Sequence, residues 1–255
     1  MEVLTAAYSD IGIKKATNQD SLCVKVADTS FGKVVLAVIC DGMGGLSKGE
    51  VASASVVNAF SEWFEQELPV QLAHGDMDEI KYRWDRIIKE QNQRIGEYGR
   101  RVRIQLGTTL TALLLIDSTF MLIGHVGDSR VYRLDQKLEV LTDDQTVVGR
   151  EVRRGTLTPE QAKSDHRRNV LLQCIGASKL VEPQFLAGTP KRGDVYLLCS
   201  DGFRHMISEA EIYHAFSPAS LRDEAIMEYK AKEMVELNKQ RRETDNITLV
   251  LVKIL

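Results

Sequence analysis

TLTALLLI (109–116) and TFMLIGHV (119–126) are two apolar runs separated only by Asp117 and Ser118. Each has the length and the branched or aromatic content of a strand. A parallel neighbour needs a crossover of about a dozen residues, so a link this short makes the pair an antiparallel hairpin. That counts against a purely parallel, doubly wound sheet. Working outward, further strands are expected at 3–8, 22–26, 34–40, 130–134, 195–199 and 247–253. Helical periodicity is clearest at about 48–68 and 76–99. In the first of these, Val56, Phe60, Trp63 and Phe64 share one face, which assigns them to the core. A charged amphipathic helix near 220–238 presents Leu221, Ala225, Met227 and Val235. Thr158-Pro159-Glu160 opens a shorter helix with Pro in its first turn. Strand groups with helices between them point to an α+β domain of antiparallel sheets covered by helices.

The 255 residues carry no Pro/Gly/Ser-rich linker and no fixed repeat, so one domain spanning 1–255 is expected. With 44% hydrophobic and 27% charged residues and a net charge of −3, nothing recommends nucleic acid or an anionic membrane as a partner. No apolar run approaches the roughly 20 residues that cross a bilayer. The start, MEVLTAAYSD, lacks the basic and apolar stretches of a signal peptide. Cysteines 23, 40, 174 and 199 form no CxxC pair and no zinc-like spacing. Cys40 and Cys199, at the ends of apolar strands, are expected as buried free thiols, which fits a reducing cytoplasm, and a monomer is expected.

VVLAVICDGMGG (34–45) poses a different question, because a buried strand runs into Asp41 and then into glycine. An Asp-Gly turn would explain it, as would a carboxylate delivered to a place where backbone must approach a ligand closely. Four other segments share the form. Asp20 enters a strand, Asp201 ends one in VYLLCSDG, Asp128 lies in a Gly-flanked turn in GHVGDSR, and Asp245 precedes the last strand. Converging carboxylates would repel one another and raise their own pKa values. Mg²⁺ or Mn²⁺ would remove that penalty with oxygen ligands, whereas the lack of a His/Cys cluster argues against zinc. Two such ions can activate water and clamp a phosphoryl group. Spacing alone leaves convergence open.

In order, SDIGxxxxxNQDS (9–21), DGMGG (41–45), GTT (107–109), GDSR (127–130), LTxD (141–144), CSDG (199–202) and TDN (244–246) span nearly the whole chain. This series resembles the PPM (PP2C-type) metal-dependent Ser/Thr protein phosphatases, bacterial members above all. The resemblance implies an αββα sandwich of two antiparallel sheets flanked by helices. It also implies hydrolysis of phosphoserine and phosphothreonine by direct attack of a hydroxide bridging two Mn²⁺ or Mg²⁺ ions, with no phosphoenzyme. Asp41 resembles the carboxylate bridging both ions. The Gly42 carbonyl and Asp20 would serve one ion, and Asp201 and Asp245 the other. Asp128 resembles the ligand of a third, weaker metal. Phosphorylated proteins, the targets of a Ser/Thr kinase, are the implied partners.

Three positions depart from the family pattern. Lys15 stands where the family usually has Arg for the substrate phosphate, giving a point charge in place of a bidentate fork. Met43 stands where eukaryotic members carry His, and Gln145 where His is typical. Segment 146–180 corresponds to the family's flap. Its Arg150, Arg153, Arg154, Arg167 and Arg168 would suit acidic substrates or merely a solvated face, and His166 reads as a surface residue.

Other phosphatase chemistries lack their signatures. Arg204 follows Cys199 one residue too early for a C-x5-R loop, and GNHE, DxDxT and GxxxxGK[ST] are missing. The alternatives are a pseudophosphatase that binds phosphoproteins without turnover, or a hydrolase of small phosphomonoesters.

Overall fold

The hairpin that excluded a parallel sheet forms between β5 (Leu110–Ile116) and β6 (Phe120–Val126), paired from Leu110↔Val126 to Ile116↔Phe120. Its loop is one residue longer than the spacing suggested. Asp117 takes a left-handed φ of 46°, and the Thr119 amide closes the turn on the Ile116 carbonyl at 3.2 Å. The structure is a computed structural model that describes residues 1–44 and 48–255, so Gly45 of the DGMGG motif lies outside the described residues.

The described strands form two antiparallel sheets. One orders β2 (Asp20–Thr29), β3 (Gly32–Gly44), β5, β6 and β9 (Gln184–Gly188), with β4 (Leu106–Thr108) pairing the far end of β3. The other orders β1 (Val3–Asp10), β11 (Ile247–Ile254), β10 (Val195–Cys199), β7 (Arg130–Leu134) and β8 (Leu138–Val140). Between them lies a core of Val35, Ala37, Ile39, Leu113, Leu115 and Ile123 against Val131, Tyr196, Leu198, Val250 and Val252.

The alternate residues of the same strands face outward onto helices. Val34, Leu36, Val38 and Cys40 pack under α1 (Gly49–Gln66), α2 (Leu68–His74) and α3 (Met77–Val102). Phe60 and Trp63 meet Trp84 edge-on at 5.1 and 5.5 Å, so the aromatic face predicted in α1 is core. On the second sheet Leu197, Cys199, Leu249 and Leu251 pack under α7 (Glu209–Phe216) and α8 (Glu224–Gln240). An antiparallel strand usually alternates apolar and polar residues; here both faces are covered, so the runs are continuously apolar. The fold is the αββα sandwich.

Several local expectations shift. Helix α1 ends at Gln66, and α2 follows after Glu67 with Pro69 in its first turn. Helix α8 starts at Glu224, so Leu221 is buried ahead of it and Ala225 faces solvent. Thr158 caps α5 (Pro159–Ser164) through a reciprocal capping box with Gln161. Cys40, Cys174 and Cys199 are buried and all four thiols are free. No described helix is long and apolar enough to cross a membrane.

Candidate metal centre

The Asp-Gly turn expected after VVLAVIC does not form. β3 runs through Asp41 and Gly42 to Gly44 and changes partner on the way, from β5 as far as Ile39 to β4 at Gly42↔Thr108. The GTT motif makes that change possible. The Thr109 hydroxyl oxygen accepts from the Asp41 amide at 2.9 Å. The Thr109 amide donates to the Asp41 carbonyl at 2.9 Å, which the Thr108 hydroxyl also reaches at 2.9 Å. Gly42 is required by crowding: a Cβ there would stand 2.4 Å from both the Gln19 and the Gly49 carbonyl oxygens. Backbone from three segments therefore meets beside Asp41.

Asp20 opens β2 directly opposite Asp41 in the ladder. Asn246 of the TDN motif holds it there. Its side-chain amide donates to the carbonyls of Ile11 and Thr17 at 3.0 and 3.2 Å, and its Oδ1 accepts from the Gln19 amide at 2.9 Å. Asp201 is the first residue of the short helix α6 (Asp201–Arg204), reached through Ser200 from β10. Gly202 packs so tightly that an added Cβ would lie 2.2 Å from the Asn246 carbonyl oxygen. Two motifs more than 40 residues apart are thus locked together, bringing Asp201 and Asp245 to one end of the sandwich. None of these locking roles was evident from spacing.

The electrostatics of this end are strained. Burial, followed by the charges of Asp201 and Asp245, pushes the Asp20 carboxyl up to about 7; the nearby hydroxyls of Thr248 and Ser200 pull against this without completing hydrogen bonds. Burial, followed by Asp20, Asp201, Asp128 and Asp245, drives Asp41 well above the usual carboxylate range. Both oxygens of Asp20 and Oδ1 of Asp201 are buried without a hydrogen-bond partner among the described residues. Lys15, not Lys14, reaches this cluster, with Nζ 2.7 Å from Asp245 Oδ1. Burial pulls the Lys15 ammonium down, but the bond to Asp245 and the charges of Asp245, Asp41 and Asp201 outweigh it, and its pKa is raised.

Asp128 is buried in the turn between β6 and β7, and burial followed by Asp201 pushes it up to about 7 against the pull of Arg204. Gln145 turns inward, accepting from the Gly127 amide and from Gln173 at 2.8 Å each, and so fastens the Asp128 turn. His205 stands between Asp201 and Glu243, 3.5 Å from each. Arg204, His205, Asn246 and Gln145 are the residues that sequence reasoning left without a role here. Of the flap arginines, Arg150, Arg153, Arg167 and Arg168 all engage local partners, and His166 is exposed.

A hard divalent cation fits this donor set, since buried carboxylate oxygens with no other partner are what such ions complete. Among the described residues, no three His, Cys, Asp or Glu side chains are arranged to hold an ion as they stand. Lys15 supplies positive charge to the cluster at Asp245.

Residues 13–245 match the family defined as Protein phosphatase 2C. The protein phosphatase PhpP of Streptococcus pneumoniae is 30% identical over 248 residues, 96% of this chain and 94% of that one. The serine/threonine phosphatase of S. agalactiae superposes with a TM-score of 0.85 at 30% identity, covering 100% of both chains. The catalytic domain of the serine/threonine protein phosphatase PstP, solved with 2 manganese ions, gives a TM-score of 0.79 at 30% identity over 98% of this chain and 97% of its own. The fold, the order of the motifs and these likenesses define a metal-dependent phosphatase. The chain belongs to the protein phosphatase 2C family, of the bacterial type, and is a serine/threonine protein phosphatase.

Proposed function

We propose that the chain hydrolyses phosphoserine and phosphothreonine in proteins with two Mn²⁺ or Mg²⁺ ions shared by Asp41. Asp20 and the Gly42 carbonyl would hold one, and Asp201 and Asp245 the other. The observation that carries this is the gathering of buried, unpartnered carboxylate oxygens at one end of the sandwich. When bound, such ions polarise the phosphoryl group and activate the attacking water.

The chain's own residues do the remaining work. Lys15, half-exposed at the rim, meets the substrate phosphate as a point charge and offsets charge developing on its oxygens. The Thr108, Thr109 and Asn246 hydrogen bonds hold Asp41 and Asp20 still, so little reorganisation is needed during reaction. A P–O bond from water forms as the P–O bond to the side chain breaks, and the leaving alkoxide takes its proton from water because Met43 has none to give. Segment 146–180 would act as a flap beside this end, being anchored by the Thr146↔Leu171 bridge at one margin and Thr108↔Ile175 near the other. The reading includes a monomer in the cytoplasm acting opposite a Ser/Thr kinase.

The test is turnover of a phosphothreonine peptide and of p-nitrophenyl phosphate with Mn²⁺, then with chelator. Mn²⁺-dependent release of phosphate that Asp41→Asn abolishes is expected. Turnover that survives chelation overturns the mechanism, and peptide binding without turnover would make the chain a pseudophosphatase.

A further inference from the structure

Arg130 and Arg204, both half-buried, pack against one carboxylate. Asp144 takes Arg130 in a two-bond fork at 2.8 and 2.9 Å and stands 3.3 Å from Arg204 Nη2. Guanidinium groups stay charged at any accessible pH, so a single carboxylate leaves one positive charge uncompensated. Glu209 lies 3.9 Å from Arg130, but its side chain is 60% exposed and well solvated. The remaining countercharge is Asp128, whose Oδ2 is 3.9 Å from Arg204 Nη2 and whose backbone carbonyl accepts from the same nitrogen at 2.9 Å. Arg204 Nε has no acceptor among the described residues, so Asp144 does not exhaust this guanidinium. Asp144 and Asp128 are thus the two partly or fully buried carboxylates that face the Arg204 guanidinium.

We infer that the Arg204 guanidinium takes the place of a third cation at Asp128, making the positive charge beside that carboxylate part of the chain. The family likeness led to the expectation of a weak third metal on Asp128, and the surroundings do not fit one. A divalent ion on Asp128 would share a poorly solvated space with a guanidinium bonded to the same residue's carbonyl, where like charges repel far more than in water. Because Arg204 belongs to α6, which begins at Asp201, it also ties the turn carrying Asp128 to the helix carrying Asp201. Arg204 is thus a positioning residue whose charge does not vary with metal concentration. The inference rests on the two-ion reading above.

The experiment counts Mn²⁺ bound per folded chain by equilibrium dialysis over rising free Mn²⁺, for the unaltered protein, Asp128→Asn, Arg204→Gln and the double variant. Asp128→Asn is expected to leave the count unchanged. Arg204→Gln should gain one weaker ion, lost again in the double variant. An ion that disappears on Asp128→Asn alone overturns the inference and leaves the two-ion reading standing, as does a folded Arg204→Gln that gains none. Should Arg204→Gln not fold, the comparison of Asp128→Asn with the unaltered protein decides. A chain that binds no Mn²⁺ overturns both readings.

Discussion

Asp20 and Asp41 are direct cross-strand partners in the β2–β3 ladder, so two carboxylates share one face of a sheet at a single register position. Like charges directly opposite each other destabilise a ladder. The chain nevertheless keeps this pair, and Gly42 and the GTT motif are built around it.

Removing one of these charges should stabilise the metal-free protein while destroying the site. Asp41→Asn is expected to raise unfolding free energy in chelator by about 1 kcal/mol, from relief of repulsion across the pair. The unaltered protein should gain about 3 kcal/mol from Mn²⁺ at a hundredfold excess over its dissociation constant, and Asp41→Asn should gain nearly nothing. Thermal melts with and without Mn²⁺ check both, and equal Mn²⁺ stabilisation of the two proteins would refute the assignment.

Lys15 and Lys14 should separate cleanly. Lys15→Ala is expected to lower kcat/KM for a phosphopeptide by about 10- to 100-fold, through loss of a charge-assisted contact to phosphate. Lys14→Ala should stay within about twofold, as expected for a surface change away from the reacting groups. Steady-state kinetics on both variants decide, and equal losses would remove Lys15 from its role.

Gly42→Ala should fail through packing. Its Cβ would need the Gln19 and Gly49 carbonyls to move apart from 2.4 Å contacts. The expected cost is about 3 kcal/mol or more, at the upper end of overpacking penalties. Urea denaturation monitored by tryptophan fluorescence measures it; a change below 1 kcal/mol, roughly the typical mutational effect, would show that the backbone there is loosely held.

His125 links stability to pH. The ring is fully buried, with Nδ1 paired to the Thr111 hydroxyl and Nε2 near the Gly127 and Asp143 carbonyls. Burial lowers its pKa from 6.5 to about 4 against the pull of Asp144. The folded form therefore holds the neutral ring, and the unfolded chain binds a proton first as pH falls. Stability from this residue is complete above about 6.5 and declines as pH drops toward 4, by about 3 kcal/mol in total. Relative to the unaltered protein, His125→Gln should thus be least stable at pH 7 and should close the gap by pH 4. A gap that does not vary with pH would contradict a neutral buried ring.

Much of this architecture was legible locally. The runs 109–116 and 119–126 encode their hairpin because strand length and loop length are local quantities. The face of Val56, Phe60 and Trp63 was equally plain from helical spacing. Short elements escaped notice: β9 is a half-buried strand held by pairing with β6, and α7 is announced only by the Ser208 capping box. The Asp-Gly pair at 41–42 misled for a physical reason. The glycine there answers to the Gln19 and Gly49 backbones, and no turn is made.

The amino-acid sequence by itself determined the longer strands, the principal helices, the antiparallel hairpin and the identity of the acidic residues at strand ends. Only the tertiary structure decided that these acids meet, that Lys15 and not Lys14 joins them, and that Arg204 lies against Asp128. Hydrophobic period and turn chemistry act between near neighbours in the chain. The repulsion, desolvation and pairing that define the site act between residues as distant as Lys15 and Asp245, and these exist only once the two sheets have packed.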